Sequence, residues 1–128
     1  MDTKIQEALE RDRVVDITTT GRGTGRARRI EIWVHYLEGR LYLTGLPGRR
    51  SWYANLRANP QLIVHLKQSI RADLAATATP VLEASKRREI MSLILRRLGR
   101  LADLDAWVEG SPLVEVVLET RAVRRGSP

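Results

Sequence analysis

The stretch RIEIWVHYLEGRLYLTG, residues 29–45, alternates apolar and polar side chains on both sides of Glu38-Gly39. Alternation with a period of two is typical of a strand with one buried face, and a two-residue turn ending in glycine joins antiparallel strands. The stretch therefore predicts a β-hairpin with strands over residues 29–37 and 40–45. With this turn, Val34 faces Leu43. The apolar face is expected to join the core: Ile30, Ile32, Val34, Tyr36, Leu41 and Leu43.

The opposite face of the hairpin is partly polar and partly aromatic. It carries Glu31, Trp33, His35, Tyr42 and Thr44. A face of this composition is too apolar for simple exposure, so we expect a ligand ring, a partner subunit or another helix to cover it. His35 is expected to pack against Tyr42 rather than to perform chemistry.

The rest of the chain predicts short strands and a few helices. Helices are expected over residues 3–11, 85–101 and 103–109, with a short one between Ser51 and Asn59, and further strands over 13–20, 61–67, 70–78 and 112–121. About six strands with few crossover helices favour a mainly β protein, α+β by content, built as an antiparallel barrel. The length of 128 residues predicts one domain, 1–128, with a disordered tail over 122–128.

The pattern over residues 85–101 is the clearest helical one in the chain. Its apolar stripe has helical spacing and is expected to join the core: Met91, Ile94, Leu95, Leu98 and Leu101. The arginines on the remaining faces are expected to be solvated: Arg88, Arg96, Arg97 and Arg100.

Positive charge is concentrated in one part of the chain. The net charge is +7, and residues 21–57 hold eight arginines against two glutamates. Such a patch could bind nucleic acid, a membrane surface or a polyanionic small molecule. The absence of cysteine and the presence of only two histidines argue against a disulfide framework and a metal site. No apolar run approaches the ~20 residues of a membrane span, and the charged N-terminus does not resemble a signal peptide, so a cytoplasmic protein is expected.

Two stretches within this basic region could bind an anion. GRGTGRARR, residues 21–29, has three glycines that allow positive φ and four arginines around them. It lacks the Gly-Lys-Ser/Thr ending of a P-loop, and a strand rather than a helix follows it, which excludes the Rossmann fingerprint. The alternative is a flexible hairpin loop with solvated charges.

The second stretch is GLPGRRSWYANLRANP, residues 45–60. Ser51 is expected to cap a short helix that ends before Pro60. A helix N-terminus beside Arg49 and Arg50 would attract anions. The alternative is a surface loop and helix with two solvated arginines.

Together, the motifs TTTGR-x-[ST]-G at residues 18–25 and WY-x-NL-x-ANP at 52–60 resemble the deazaflavin-dependent nitroreductase family. These are split β-barrel proteins related to the FMN-binding pyridoxamine-phosphate-oxidase superfamily. The resemblance runs from about Val14 to Pro80, and the segment WVEGSPLVEVVLE is also similar to the family's small-domain branch. It implies a split antiparallel barrel, a homodimer, and binding of coenzyme F-420, which has a flavin-like ring, a phosphate and an oligoglutamate tail.

The resemblance also implies roles for residues of both stretches. The first loop would hold the phosphate and the glutamyl tail, through Arg22, Thr24, Gly25, Arg26 and Arg28. The segment after the hairpin would lie along the ring of the cofactor and present backbone N–H groups to it: Thr44, Gly45, Leu46, Pro47 and Gly48. The short helix and the arginines before it would back the ring and assist the phosphate end: Arg49, Arg50, Trp52, Asn55 and Leu56. Gly23 and Ala27 depart from the family, which often has a basic residue and a proline there.

The leading hypothesis is a reductase that transfers a hydride from reduced F-420 to a quinone, enone or nitroaromatic. The cofactor carries this chemistry, so no catalytic residue is named, and a proton could come from Tyr42, Tyr53 or water. One alternative keeps the fold with FMN or a haem-like ring, and another is a cofactor carrier without turnover. A basic barrel that binds nucleic acid is disfavoured, because the arginines are not interleaved with exposed aromatic residues.

Overall fold

The computed structural model describes residues 2–119, and the predicted tail over 122–128 lies outside them. The strands are β1 Val14–Thr20, β2 Ala27–Leu37, β3 Arg40–Thr44, β4 Gln61–Leu66, β5 Ala72–Pro80 and β6 Leu113–Leu118. The helices are α1 Thr3–Arg11, α2 Ser51–Ala58, α3 Ala84–Leu98 and α4 Leu104–Gly110, with a 3₁₀ turn at Leu101–Asp103 before α4. None of the helices in the described part is long and apolar enough to cross a bilayer.

The six strands form a closed antiparallel barrel in the order β1-β2-β3-β6-β5-β4, with β4 pairing back to β1. The predicted hairpin register is confirmed, since Val34 pairs with Leu43. Its turn has φ of 52° at Glu38 and 80° at Gly39, the positive values that a two-residue turn of this hand requires. The predicted split-barrel fold, strand-rich with a helix after the first hairpin, is therefore confirmed.

The inward side chains of the strands and the apolar face of α1 form the main core. Ile5, Ala8 and Leu9 of α1 are buried against the barrel. Ile30, which the alternation assigned to this core, is instead 37% exposed. It lies in the first part of β2, where the strand extends past the packed interior toward the 21–26 loop.

A second apolar cluster forms outside the barrel, where α3 and α4 cover β3. Tyr42 packs here among side chains of α3 and α4, and His35 and Thr44 are buried as well. Helices cover this hairpin face as expected, except at Glu31 and Trp33, which are exposed, Trp33 by 51%.

Two predicted helix boundaries are wrong. Helix α3 ends at Leu98, because Gly99 takes the left-handed conformation that stops a helix. Leu101 consequently leaves the apolar stripe and is exposed. Ser51 is the first residue of α2 rather than its cap, and the cap position belongs to Arg50, which makes no side-chain capping bond.

Candidate functional site

A cleft of about 510 Å³ lies between the 21–26 loop and α2. Its lining residues are Thr19, Gly21, Arg22, Gly23, Thr24, Arg28, Ile30, Ser51, Trp52 and Asn55. The cleft brings together five of the residues that the family resemblance assigns to the cofactor. Two of these are arginines, and no acidic side chain is among the lining residues, so the cleft is positively charged.

Asn55 joins the loop to the helix. Its side-chain oxygen accepts hydrogen bonds from the backbone N–H of Arg22 at 3.2 Å and from Arg22 Nη1 at 2.8 Å. Its amide nitrogen donates to Thr19 Oγ1 at 3.2 Å. Asn55 is itself buried, so these bonds fix both the loop and the Arg22 guanidinium at the cleft.

The 21–26 loop is closed by its own hydrogen bonds. The N–H of Gly21 donates to the Arg26 carbonyl at 2.7 Å, and the N–H of Gly25 donates to the Gly21 carbonyl at 2.8 Å. The N–H of Arg26 donates to Thr24 Oγ1 at 3.2 Å. These three N–H groups are therefore committed within the loop, and anion binding in the cleft would depend mainly on arginine side chains.

Two further cavities adjoin the cleft and share lining residues with it or with each other. The second cavity, about 370 Å³, is lined by Arg22, Arg49, Arg50, Ser51, Tyr53 and Ala54. The third cavity, about 480 Å³, is lined by Gly48, Arg49, Tyr53, Leu82, Arg87, Glu109, Gly110, Ser111 and Pro112. Shared lining residues connect the first cavity to the second and the second to the third. We call the whole the basic groove.

The segment over residues 44–48 is tied to the chain around Gly110. The Thr44 hydroxyl donates to the Pro112 carbonyl at 2.6 Å, and the Gly48 N–H donates to the Gly110 carbonyl at 3.0 Å. Thr44 is buried, while Leu46 is exposed. Of this segment only Gly48 lines the groove, and its N–H already has a protein partner.

The remaining predicted residues lie in different places: Gly25 and Arg26 are exposed and line none of the three cavities, Arg49 and Arg50 line the groove, and Leu56 is in the core. Arg50 binds the Leu46 carbonyl through Nη2 at 2.9 Å and the Arg49 carbonyl through Nη1 at 2.8 Å, so it also orders the loop before α2. Leu56 of α2 is fully buried in the main core and does not line the groove.

Sequence reasoning missed several groove residues. Thr19 belongs to the TTTGR-x-[ST]-G motif but was given no role there, and Ile30 was assigned to the core by its strand alternation. Leu82 lies outside every motif, and Ser111 lies in the segment WVEGSPLVEVVLE, for which the resemblance implied no site residue. The structure also separates the two tyrosines named as proton donors: Tyr53 lines the groove, whereas Tyr42 lies beneath α3, where burial raises the pKa of its phenol.

Metal binding has no evident location in the part of the chain that the structure describes. Across residues 2–119, no three His, Asp or Glu side chains come together in a group that could hold a metal ion.

Solved structures with the same fold resemble the chain at low identity. ChuZ from Campylobacter jejuni is 12% identical with a TM-score of 0.68; the match covers 91% of this chain and 52% of ChuZ, so the chain spans about half its length. HutZ from Vibrio cholerae, described as a heme storage protein, is 16% identical with a TM-score of 0.69. The match covers 92% of this chain and 89% of HutZ. A structure described as a domain-swapped dimer is 22% identical with a TM-score of 0.58. The match covers 89% of this chain and 96% of that structure's chain.

These likenesses show the fold alone. No curated protein matches the sequence. A family model, described as F420H(2)-dependent quinone reductase, matches residues 1–120, which is almost the whole chain. This match confirms the resemblance to deazaflavin-dependent proteins that the two motifs indicated. The chain therefore belongs to the F420H(2)-dependent quinone reductase family.

Proposed function

We propose that the protein binds coenzyme F-420 in the basic groove and reduces an electron-poor acceptor, with quinones as the favoured class. The observation that carries the proposal is the row of arginines along the first two cavities. Arg22 and Arg28 line the first, and Arg49 and Arg50 join Arg22 in the second. Neither cavity has an acidic lining residue, so the groove suits a long anionic ligand.

The residues present fit the parts of this coenzyme. Guanidinium groups bind phosphate and carboxylate through paired, charge-assisted hydrogen bonds, so Arg22 and Arg28 would hold the phosphate and glutamyl tail. Trp52 and Ile30 supply the apolar part of the first cavity. When bound, the reduced coenzyme would supply the hydride. The protein would bind and orient it and limit the access of water to the ring.

FMN and haem are the competing ligands for the same groove. Both are shorter anions, and Gly23 supplies no side-chain cation where the family often has one. HutZ has the same fold and is described as a heme storage protein, which favours a carrier without turnover as the second candidate. The length of the groove favours F-420, because a single phosphate would neutralise only part of the positive charge along the arginine row.

A titration of the purified protein with F-420, FMN and haemin, followed by fluorescence quenching, tests the proposal. Trp52 lines the first cavity and serves as the reporter. Tighter binding of F-420 than of FMN, followed by quinone reduction with reduced F-420, is the expected result. Tighter binding of FMN or haemin than of F-420 would instead support an FMN-dependent reductase or a cofactor carrier. Binding of nucleic acid that weakens steeply with salt would point to the basic-barrel alternative.

Replacing both Arg22 and Arg28 with alanine is expected to weaken F-420 binding by about 2 kcal/mol, or roughly thirtyfold, because two charge-assisted contacts are lost. The dissociation constant from the same titration measures the effect. Arg88→Ala with Arg96→Ala is the matched control, since it removes two exposed arginines of α3 outside the groove. Equal affinity of the two double variants for F-420 would contradict the assignment of Arg22 and Arg28 to the phosphate and the glutamyl tail.

We also propose that the protein is a homodimer that associates through the outer face of β2, β1 and β4. Trp33 and Ile63 are 51% and 39% exposed, and they pair with Val14 and Thr18 of β1. Positions 14 and 18 point to the same side of a strand, so the two exposed side chains share one face. The similar structure described as a domain-swapped dimer supports association of this fold.

Trp33→Glu is expected to shift the protein from dimer to monomer, because a charge would replace a large apolar contact. Light scattering during size-exclusion chromatography measures the mass. Val117→Glu is the control, as Val117 is 55% exposed on β6, across the barrel from β1. A dimer that survives the Trp33 change, or a monomeric parent protein, would contradict this interface.

A further inference from the structure

A small cavity lies between the turn of the first hairpin and α3, apart from the basic groove. Its volume is about 200 Å³, and its lining residues come from β2, the turn, β3 and α3. It shares no lining residue with the three cavities of the groove. Pockets for drug-sized ligands have volumes of about 300 Å³ or more, so this cavity suits a smaller molecule.

The hydroxyl group of Tyr42 is the polar group of this cavity that lacks a partner. The side chain is 5% exposed and belongs to the apolar cluster beneath α3, yet it lines the cavity. Its oxygen makes no hydrogen bond to any residue that the structure describes, and it is not among the fully enclosed polar atoms. The small accessible part of Tyr42 therefore includes the hydroxyl, which a ligand in the cavity can reach.

The electrostatic surroundings of this hydroxyl are mainly negative. Burial raises the pKa of Tyr42, the carboxylates of Glu115, Glu38 and Glu89 raise it as well, and Arg40 lowers it. Arg40 is already bound to Glu115, with 3.1 Å between Nη1 and Oε2. The phenol is consequently neutral at pH 7, and its oxygen can accept a hydrogen bond.

Two carboxylates at the cavity have no counterion. Glu38 and Glu89 line it, and within residues 2–119 neither makes a hydrogen bond or an ion pair. Lys86, which also lines the cavity, likewise has no carboxylate partner for its ammonium group in this part of the chain. Two unpaired carboxylates against one such cation favour a positively charged group beside the hydroxyl.

The rest of the lining is apolar. It consists of Leu37, Ile90 and Leu93. Ile90 is buried, and the other two are half-buried, so these side chains offer a firm apolar surface next to the charged groups. A short hydrocarbon chain is complementary to such a surface.

We infer that this cavity binds a small protonated alkylamine, whose ammonium group donates a hydrogen bond to the Tyr42 hydroxyl oxygen and lies near the carboxylates of Glu38 and Glu89. The alkyl chain packs on the apolar part of the lining. The inference does not depend on the proposed function, because the cavity is separate from the basic groove.

Two ligands with the same carbon chain and opposite charge test the inference. The protein is titrated with n-butylammonium and with butyrate at constant ionic strength and pH 7, and amide chemical shifts are followed by NMR. Butylammonium is expected to cause saturable shifts confined to residues 37–42 and 86–93. Butyrate is expected to cause much smaller shifts there. Absence of saturation with butylammonium, or tighter binding of butyrate, would overturn the inference.

Substitutions at the lining identify the groups that hold the amine. Tyr42→Phe keeps the buried ring and is expected to raise the dissociation constant of butylammonium about fivefold, as for one lost hydrogen bond. Glu89→Gln is expected to raise it about threefold, because it removes one exposed charge from an exposed part of α3. Lys86→Gln is expected to lower it about twofold, since it removes a like charge.

Glu10→Gln is the matched control, as it removes an exposed carboxylate of α1 that does not line the cavity. Equal dissociation constants for Glu89→Gln and Glu10→Gln would contradict the role of the cavity carboxylates. An unchanged constant in Tyr42→Phe would contradict the hydrogen bond to the phenol. Should Tyr42→Phe fold poorly, the opposite effects expected at Glu89 and Lys86 still decide whether the cavity selects a cation.

Discussion

Replacing Arg87 with methionine is expected to lower the free energy of unfolding by about 3 kcal/mol, the value for losing several charge-assisted hydrogen bonds that are not additive. The Arg87 guanidinium donates to four backbone carbonyls, with Nε to Val108 at 2.9 Å and Nη1 to Val81 at 3.0 Å. Nη2 donates to Trp107 at 3.3 Å and to Ser111 at 2.6 Å. Two of these carbonyls belong to the last turn of α4, where helix carbonyls have no partner within the helix and the dipole favours a cation.

Thermal unfolding measures the change, and a fall in the melting temperature of roughly 10 °C corresponds to it for a chain of this size. Methionine keeps the length and apolar character of the arginine stem, so the effect isolates the guanidinium. Arg88→Met on the same helix is the control. Its exposed ion pair with Asp105 is expected to contribute less than 1 kcal/mol. Similar melting temperatures for the two variants would show that the four carbonyl bonds do not hold α4 in place.

The barrel and its first hairpin could be predicted because their signals are local. The alternation over residues 29–45 and the Glu38-Gly39 turn together determine the register, since a slip by one residue would move every apolar side chain to the other face. The end of α3 was misplaced although its signal is also local: Gly99 stops the helix, while the spacing of Leu101 suggested that it continues.

The arginines of the site could be found from the motifs, but their partners could not. Whether Arg22 binds Asn55 or solvent depends on how a loop packs against a helix more than thirty residues away. Arg87 shows the same limit, because three of its acceptors come from α4 and the residue after it and the fourth from Val81 before α3, and no spacing within α3 indicates them.

The free energy of unfolding is expected to depend on pH through the buried side chain of His35. Burial, with a smaller contribution from the positive charges of Arg97 and Arg13, lowers the pKa of His35 from 6.5 to about 4. Between these two pH values the unfolded chain binds a proton at this residue and the folded chain does not. Stability therefore rises with pH across this interval, is fully present above 6.5, and is lost as the pH falls toward 4.

At about 1.4 kcal/mol per pH unit, the lowered pKa of His35 corresponds to about 3 kcal/mol of stability lost over this interval. Urea unfolding at a series of pH values between 4 and 7.5, for the parent protein and for His35→Gln, measures it. Carboxylates titrate in both proteins, so the difference between the two curves isolates the imidazole. The parent curve is expected to fall more steeply as the pH decreases, whatever the absolute stability of the variant. Parallel curves would mean that His35 is protonated at the same pH in the folded and unfolded chains, which is incompatible with an imidazole buried beneath α3 beside two arginines.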